Sequence, residues 1–266
     1  MDPADSAKLN AFWRSLRQAP QRALLLDYDG TLAPFREERD QAVPYPGVRE
    51  ELEAILTDGT TRMVIISGRS IEDILPLLGL ERPPEIWGCH GWERLLPDGG
   101  YELGDLPEGA AEALEEAECG VRQAGHAERC ERKPVSVAFH WRGLDPEKIA
   151  RLENEMTEAW APLAERGGLE LHPFDGGLEL RVPGRDKGFA VRRIFADLDE
   201  GAAVAYLGDD RTDEDAFLAL EGRGLSVLVR REPRPSAAEL RLEPPEELLQ
   251  FLSQWLAVCA SEGRGP

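Results

Sequence analysis

Ala23-Leu24-Leu25-Leu26 is apolar at every position and stops at Asp27. A strand of that kind is buried on both faces, so its sheet must be covered by helices on both sides. The pattern recurs in Met63-Val64-Ile65-Ile66, which ends in Ser67-Gly68, and in Ile86-Trp87-Gly88-Cys89. It returns late in the chain, in Ala202 to Leu207 before Gly208-Asp209-Asp210 and in Leu225 to Val229. Helical stretches separate these runs: Pro46 to Leu56, Ser70 to Leu78, Lys187 to Asp199, and a last helix carrying Leu248, Leu249, Leu252, Trp255 and Leu256. The alternation predicts an α/β fold whose core is a doubly wound, Rossmann-like parallel sheet.

The middle of the chain follows another pattern. Pro97-Asp98-Gly99-Gly100 is a turn signal for a hairpin. Ala110, Leu114, Ala117 and Val121 then fall on one helical stripe, and Ile149, Leu152, Met156, Trp160 and Leu163 on another, opened by Asp145-Pro146. Between and after them apolar and polar residues alternate strictly: Val135, Val137, Phe139 and Trp141 against Ser136, His140 and Arg142, and Leu178, Leu180 and Val182 against Glu179 and Arg181. Period-two strands belong to a sheet with one wet face. The expectation is an inserted α+β cap at 105–182, interrupting a catalytic core made of 1–104 and 183–266. Trp13, Trp160 and Trp255 lie on helical stripes and are expected in cores.

Composition narrows the partners. The 266 residues hold 31 basic and 51 acidic side chains, a net charge of -20. That surplus repels phosphate backbones and anionic lipid, so neither nucleic acid nor a membrane surface is expected as partner. An anionic small molecule would require locally gathered cations or a divalent metal. The four cysteines, Cys89, Cys119, Cys130 and Cys259, form no CxxC pair, and no run approaches the roughly 20 apolar residues that span a bilayer. A monomeric, cytoplasmic protein in a reducing compartment is expected.

In doubly wound sheets, ligands bind beyond the carboxyl ends of the strands. Asp27, Ser67 and Asp209 stand at three such ends, so side chains distant in sequence are expected in one crevice. Asp27-Tyr28-Asp29-Gly30-Thr31 sets two carboxylates two residues apart. Alone the segment reads as a turn. Beside a phosphoryl group it reads as a nucleophile and a separate acid/base: one carboxylate attacks phosphorus to give an acyl phosphate, and the other protonates the leaving oxygen and then takes a proton from water. In Gly208 to Asp215, the pair Thr212 and Asp215 has capping-box spacing. Asp209 and Asp210 precede that cap, where they would repel Asp27 and Asp29. A hard cation relieves the repulsion, and a few carboxylates with water completing the shell suit magnesium. Ser67 alone is a helix start and Lys187 alone a solvated lysine. Together with the acids they supply a hydroxyl and a fixed cation for a phosphoryl group.

In this order and these strand contexts, Asp27/Asp29, Ser67, Lys187 and Asp209/Asp210/Asp213 resemble the four motifs of the haloacid dehalogenase superfamily of phosphotransferases. Within it the chain is similar to the trehalose-6-phosphate phosphatase family from about Ala23 to Leu220. LLLDYDGTLAPF is similar to that family's first motif, Val64 to Arg69 to its second, and GDDRTDEDAF to its fourth. Gly88-Cys89-His90-Gly91-Trp92-Glu93 looks like its His-Gly-x-Glu stretch. Lys133, Ser136, His140 and Arg142 match its Lys-x-x-Ser-Val-x-x-His-x-Arg pattern, and Glu179 and Arg181 its Glu-x-Arg. Val182-Pro183-Gly184-Arg185-Asp186 departs from the family, where Arg-Pro leads into Lys-Gly.

The resemblance implies Asp27 as nucleophile and magnesium ligand, Asp29 as acid/base that lends its backbone carbonyl to the metal, and Asp209 as the third protein ligand. Asp210 and Asp213 would orient metal waters or Lys187, while Ser67 and Lys187 would hold the phosphoryl group. Thr31, Gly68, Arg69, His90 and Glu93 in the core, with Lys133, His140, Arg142, Glu179 and Arg181 in the cap, would bind the sugar phosphate. The implied reaction is magnesium-dependent hydrolysis of trehalose 6-phosphate to trehalose and phosphate through an aspartyl phosphate. Two alternatives stand beside it: a phosphatase for another sugar phosphate, and a non-catalytic sugar-phosphate binding module that regulates a synthase. The second would be marked by a missing catalytic acid, and Asp27 and Asp29 are both present.

Overall fold

The computed structural model describes residues 3–36, 38–174 and 176–260. The chain divides into two compact units, Met1–Glu102 with Arg185–Pro266, and Leu103–Gly184. The elements before the division are α1 (Pro3–Gln18), β1 (Arg22–Leu26), α2 (Val48–Asp58), β2 (Arg62–Ile66), α3 (Ile71–Leu78), β3 (Glu85–Gly88), β4 (Glu93–Leu95) and β5 (Tyr101–Leu103). The smaller unit adds α4 (Ala110–Gln123), β6 (Cys130–Lys133), β7 (Ser136–His140), α5 (Pro146–Gly167), β8 (Glu170–Phe174) and β9 (Gly177–Arg181). The chain then forms α6 (Lys187–Ala196), β10 (Ala203–Gly208), α7 (Glu214–Leu220), β11 (Leu225–Val229), β12 (Leu240–Leu242) and α8 (Glu246–Ala260).

The larger unit is built on an eight-stranded sheet in the order β12-β11-β10-β1-β2-β3-β4-β5. Pairing is parallel from β12 through β3, and β4 runs antiparallel to β3. Alternate residues of each central strand feed two cores. Leu24 and Leu26 of β1 pack with Leu52, Ile55, Leu248, Leu252 and Trp255 on one face. Ala23 and Leu25 pack with Val191, Ile194, Phe217 and Leu220 on the other. This is why the strand sequences are apolar at every position.

At the amino ends of β2 and β3, away from the catalytic candidates, Glu85 is buried and fully paired. It accepts from Arg62 Nε at 2.9 Å, Arg94 Nε at 2.9 Å and Trp87 Nε1 at 2.9 Å. Glu85→Ala removes the acceptor of Trp87 Nε1, while Arg62 and Arg94 keep Asp197 at 3.2 and 3.6 Å, and is expected to lower unfolding stability by about 1–3 kcal/mol, read from urea denaturation. A loss below about 1 kcal/mol would contradict this account of the network.

The smaller unit is a four-stranded antiparallel sheet, β6-β7-β9-β8. Leu114, Val121, Met156 and Trp160 of its two helices are buried, as are Val137, Phe139, Leu178 and Leu180 of the strands. The polar face is less open than strict alternation implies: Ser136 and Ala138 are each 3% exposed, and Ser136 Oγ donates to Glu179, which lies 3.9 Å from Lys133. Two short strands, β6 and β12, carry mixed polarity and no strong period, and the helix after Lys187 ends at Ala196. Among the described residues no helix is long and apolar enough to cross a membrane.

Candidate active site

The strand order β10-β1-β2 sets Gly208-Asp209, Asp27 and Ser67 side by side at the carboxyl edge of the sheet. The amide of Asp27 still donates to Leu207 O at 2.9 Å and that of Ser67 to Trp87 O at 2.9 Å, so both side chains start from paired backbone. β1 is the point where strand order changes direction, the usual place for a ligand crevice.

Lys187 is the organising cation. It occupies the first turn of α6, whose cap Asp186 accepts from Phe189 N at 2.6 Å. The residue is 3% exposed, and its ammonium donates to Asp27 Oδ1 at 2.6 Å and Asp213 Oδ1 at 2.7 Å. Asp213 is held from every side: Tyr206 OH donates to Oδ1 at 2.5 Å, and the amides of Asp209 and Asp210 donate to Oδ2 at 3.0 and 2.9 Å. A capping box does form here, but between Asp210 and Asp213, two residues before the Thr212–Asp215 spacing that suggests one. Thr31 Oγ1 donates to Asp27 Oδ2 at 3.1 Å.

Asp27, Asp209 and Asp213 present carboxylate oxygens within 4.8 Å of one another. Asp213 is already committed to its four donors. Asp209 Oδ1 is different: it is buried and, among the described residues, has no hydrogen-bond partner. Its Oδ2 lies so close to Gly30, at φ +86°, that a Cβ there would come within 2.1 Å. Burial pushes Asp27 up to about 7 against the pull of Lys187. Burial and repulsion from Asp27 and Asp213 push Asp209 up to about 9. Lys187 stays charged well above the ordinary lysine range because Asp213 and Asp27 outweigh its desolvation. An orphaned carboxylate oxygen in an all-oxygen acidic cluster fits a hard divalent cation, with Asp209 and with Asp27, whose oxygens each accept a single donor among the described residues, as the side chains to hold it.

These shifts set a pH dependence. Carboxyl groups raised in the fold bind protons that the unfolded chain releases near pH 4, so their contribution to stability is complete below that value and fades as pH rises through about 7 and then about 9. A hard divalent cation held by Asp27 and Asp209 would have to displace the same protons. Its apparent affinity, read as the rise in thermal midpoint at fixed metal, is expected to grow by about tenfold per pH unit between pH 7 and 9, where one proton remains to be displaced, and more steeply below pH 7. A rise independent of pH would contradict the assignment.

Asp29 is bound differently. Arg69 Nε donates to its Oδ2 at 2.7 Å and Arg69 Nη2 to its Oδ1 at 2.6 Å, a bidentate pair above the Tyr28 ring. Ser67 does not cap α3, since Ser70 does so by accepting from Asp73 N at 3.2 Å; Ser67 Oγ accepts from Arg69 N at 3.1 Å. Gly68 lets the His90 ring approach its backbone, where a Cβ would sit 2.6 Å from that ring. Cys89 and His90 hold left-handed backbone at φ 48° and 57°, a strain of about 1–3 kcal/mol each. Glu93 is turned inward, accepting from Ile71 N at 3.1 Å, Cys89 Sγ at 3.1 Å and Tyr101 OH at 2.9 Å.

In the smaller unit, adjacent strands align one polar face. His140 Nε2 lies 2.9 Å from Glu131, Lys133 sits 3.6 Å from Glu131 and 3.9 Å from Glu179, and Ser136 Oγ donates to Glu179 at 2.7 Å. Arg181 turns to Glu170 at 2.7 Å, and Arg142 is exposed beside Gly176.

Four residues matter that the sequence reading passes over. Tyr206 steadies Asp213, and a tyrosine inside an aliphatic strand is itself a signal, since its buried hydroxyl needs a partner. Arg234 donates to the carbonyl of Asp210 at 2.7 Å, and Glu131 links His140 to Lys133. Arg185, in the segment that departs from the family pattern, stacks 4.4 Å from Trp92 and 4.5 Å from Phe189 and donates to Gly91 O at 3.0 Å, tying the start of α6 to the His90 loop. No local pattern marks the last three.

A family model described as Trehalose-phosphatase matches residues 25–246. The trehalose-phosphate phosphatase of Mycobacterium marinum is 31% identical over 257 residues, which cover 92% of this chain and 64% of the relative. That of Mycobacterium leprae is 31% identical over 253 residues, covering 88% and 57%. The chain therefore spans less than two thirds of these relatives. A solved structure of Aspergillus fumigatus trehalose-6-phosphate phosphatase aligns with a TM-score of 0.66 at 27% identity, over 97% of this chain and 98% of that one. A trehalose-6-phosphate phosphatase related protein aligns at 0.72 and 23% identity, over 90% and 99%, a likeness of fold.

Proposed function

Because the chain belongs to the trehalose-phosphatase family, we propose that it hydrolyses trehalose 6-phosphate to trehalose and inorganic phosphate in a magnesium-dependent reaction. The observation that carries this reading is the buried Lys187 clamp, which holds Asp27 beside a carboxylate cluster containing one unpartnered oxygen. Asp27 and Asp209, with the backbone carbonyl of Asp29, would hold the magnesium, while Asp210 and Asp213 orient its waters and Lys187. Bound there, the metal neutralises charge on the transferring phosphoryl oxygens.

Asp27 attacks phosphorus; the bond from phosphorus to the sugar oxygen breaks, and that oxygen takes its proton from Asp29. Water then attacks the aspartyl phosphate, the bond from phosphorus to Asp27 breaks, and Asp29 receives the proton from water. For the first transfer, one Asp29 oxygen must leave the Arg69 guanidinium, so substrate entry and release of this pair are linked. Lys187, the Ser67 hydroxyl, Thr31 and the backbone at Gly68 steady the phosphoryl group, as fixed donors do for developing charge. On the smaller unit, taken as a cap, Lys133, His140, Arg142, Glu179 and Arg181 recognise sugar hydroxyls. His90 and Arg69 contribute from the core. Glu93 acts indirectly through the start of α3, since its oxygens are already taken.

The test is phosphate release from trehalose 6-phosphate and a panel of other sugar phosphates, with and without magnesium. The reading expects metal-dependent release with trehalose 6-phosphate preferred. Preference for another sugar phosphate would reassign the substrate, and absence of release from all of them would leave only a binding module.

A further inference from the structure

A cavity of about 370 Å³ opens in the larger unit beyond the carboxyl ends of β10 and β11. One wall is formed by Gly30 and Asp209, so the space adjoins the reaction centre. Arg230, Arg231 and Glu232, the segment that follows β11, also line it. In a chain of net charge -20, two adjacent guanidinium groups beside a catalytic carboxylate are the local gathering of cations that an anion requires. Their backbone is fixed: Arg241 Nη1 donates to the carbonyls of Arg230 and Arg231 at 3.0 and 2.6 Å. Arg231 Nε donates to Pro244 O at 3.2 Å, which leaves its terminal nitrogens for a ligand. Arg230 is half-buried and, among the described residues, makes no side-chain hydrogen bond or ion pair.

We propose that this cavity is a docking site for inorganic phosphate, through which the hydrolysis product leaves the Asp27 centre. It rests on the phosphatase reading, because that reaction generates phosphate beside Gly30 and Asp209. Arginine forks match phosphate oxygens geometrically. Glu232 adds selectivity: a carboxylate on the wall can accept a hydrogen bond from a protonated phosphate oxygen, whereas sulfate, fully ionised, has no proton to give.

The test uses the full chain with Asp27 blocked by beryllium fluoride, a mimic of the acyl phosphate, and titrates inorganic phosphate by calorimetry. Blocked wild type is expected to bind one phosphate in the millimolar range. Arg230→Gln with Arg231→Gln is expected to weaken this at least about tenfold and to relieve inhibition by added phosphate, with the initial rate on sugar phosphate and the melting temperature unchanged. Sulfate is expected to bind at least about tenfold more weakly than phosphate, and Glu232→Gln to erase the difference. Undetectable phosphate binding to blocked wild type, equal binding by the double variant, or sulfate bound as tightly as phosphate would each overturn the proposal. Failure of the phosphatase reading appears separately, as absence of phosphate release by unblocked wild type.

Discussion

Asp27→Asn is expected to lower phosphate release from trehalose 6-phosphate by on the order of 10⁴- to 10⁶-fold, the scale on which loss of a nucleophile is felt. The amide keeps the shape of the carboxylate and can still accept from Thr31 Oγ1, now at 3.1 Å from Oδ2. It removes one of three acidic groups crowded within 4.8 Å. The metal-free variant should therefore melt no lower than the parent, and initial rates with circular dichroism melting check both halves. Activity within about tenfold of the parent would show that Asp27 does not attack phosphorus.

Lys187→Ala is expected to fail in both respects at once. Its ammonium is the only side-chain cation that the structure shows bonded to Asp27 and Asp213 among the described residues, so its loss leaves buried carboxylates facing one another. Removing one partner from a buried ion pair costs about 3–5 kcal/mol, to be read from the urea midpoint of metal-free protein. Loss of a fixed donor to the transferring group costs about 10²- to 10³-fold in turnover. A solvated lysine would cost less than about 0.5 kcal/mol, so the measured value separates the two roles cleanly.

Much of this architecture is legible in the chain because burial on two faces and burial on one leave different periods. Leu24 and Leu25 both have to be apolar since they feed opposite cores, and Val137 and Phe139 alternate with Ser136 and Ala138 since only one face of their sheet is covered by helices. Strand ends are equally legible, which is why Asp27, Ser67 and Asp209 can be placed in one row before any coordinates. What escapes is partner choice across long separations. Nothing near Asp29 announces that Arg69, 40 residues away, takes both its oxygens, and nothing near Glu93 announces the amide of Ile71, 22 residues away. Short elements escape as well: Leu240-Arg241-Leu242 is too brief to carry a period, and becomes a strand because β11 offers it an edge.

The central claim is that Asp27 carries the phosphoryl group covalently. Acid-quenched protein, taken during steady-state turnover of trehalose 6-phosphate with magnesium and reduced with borohydride, reports this directly, because an acyl phosphate is reduced to the alcohol and leaves homoserine. Peptide mass spectrometry is predicted to find homoserine at position 27, in a substrate-dependent amount. Unmodified aspartate there in every sample, while phosphate is being released, would contradict the account.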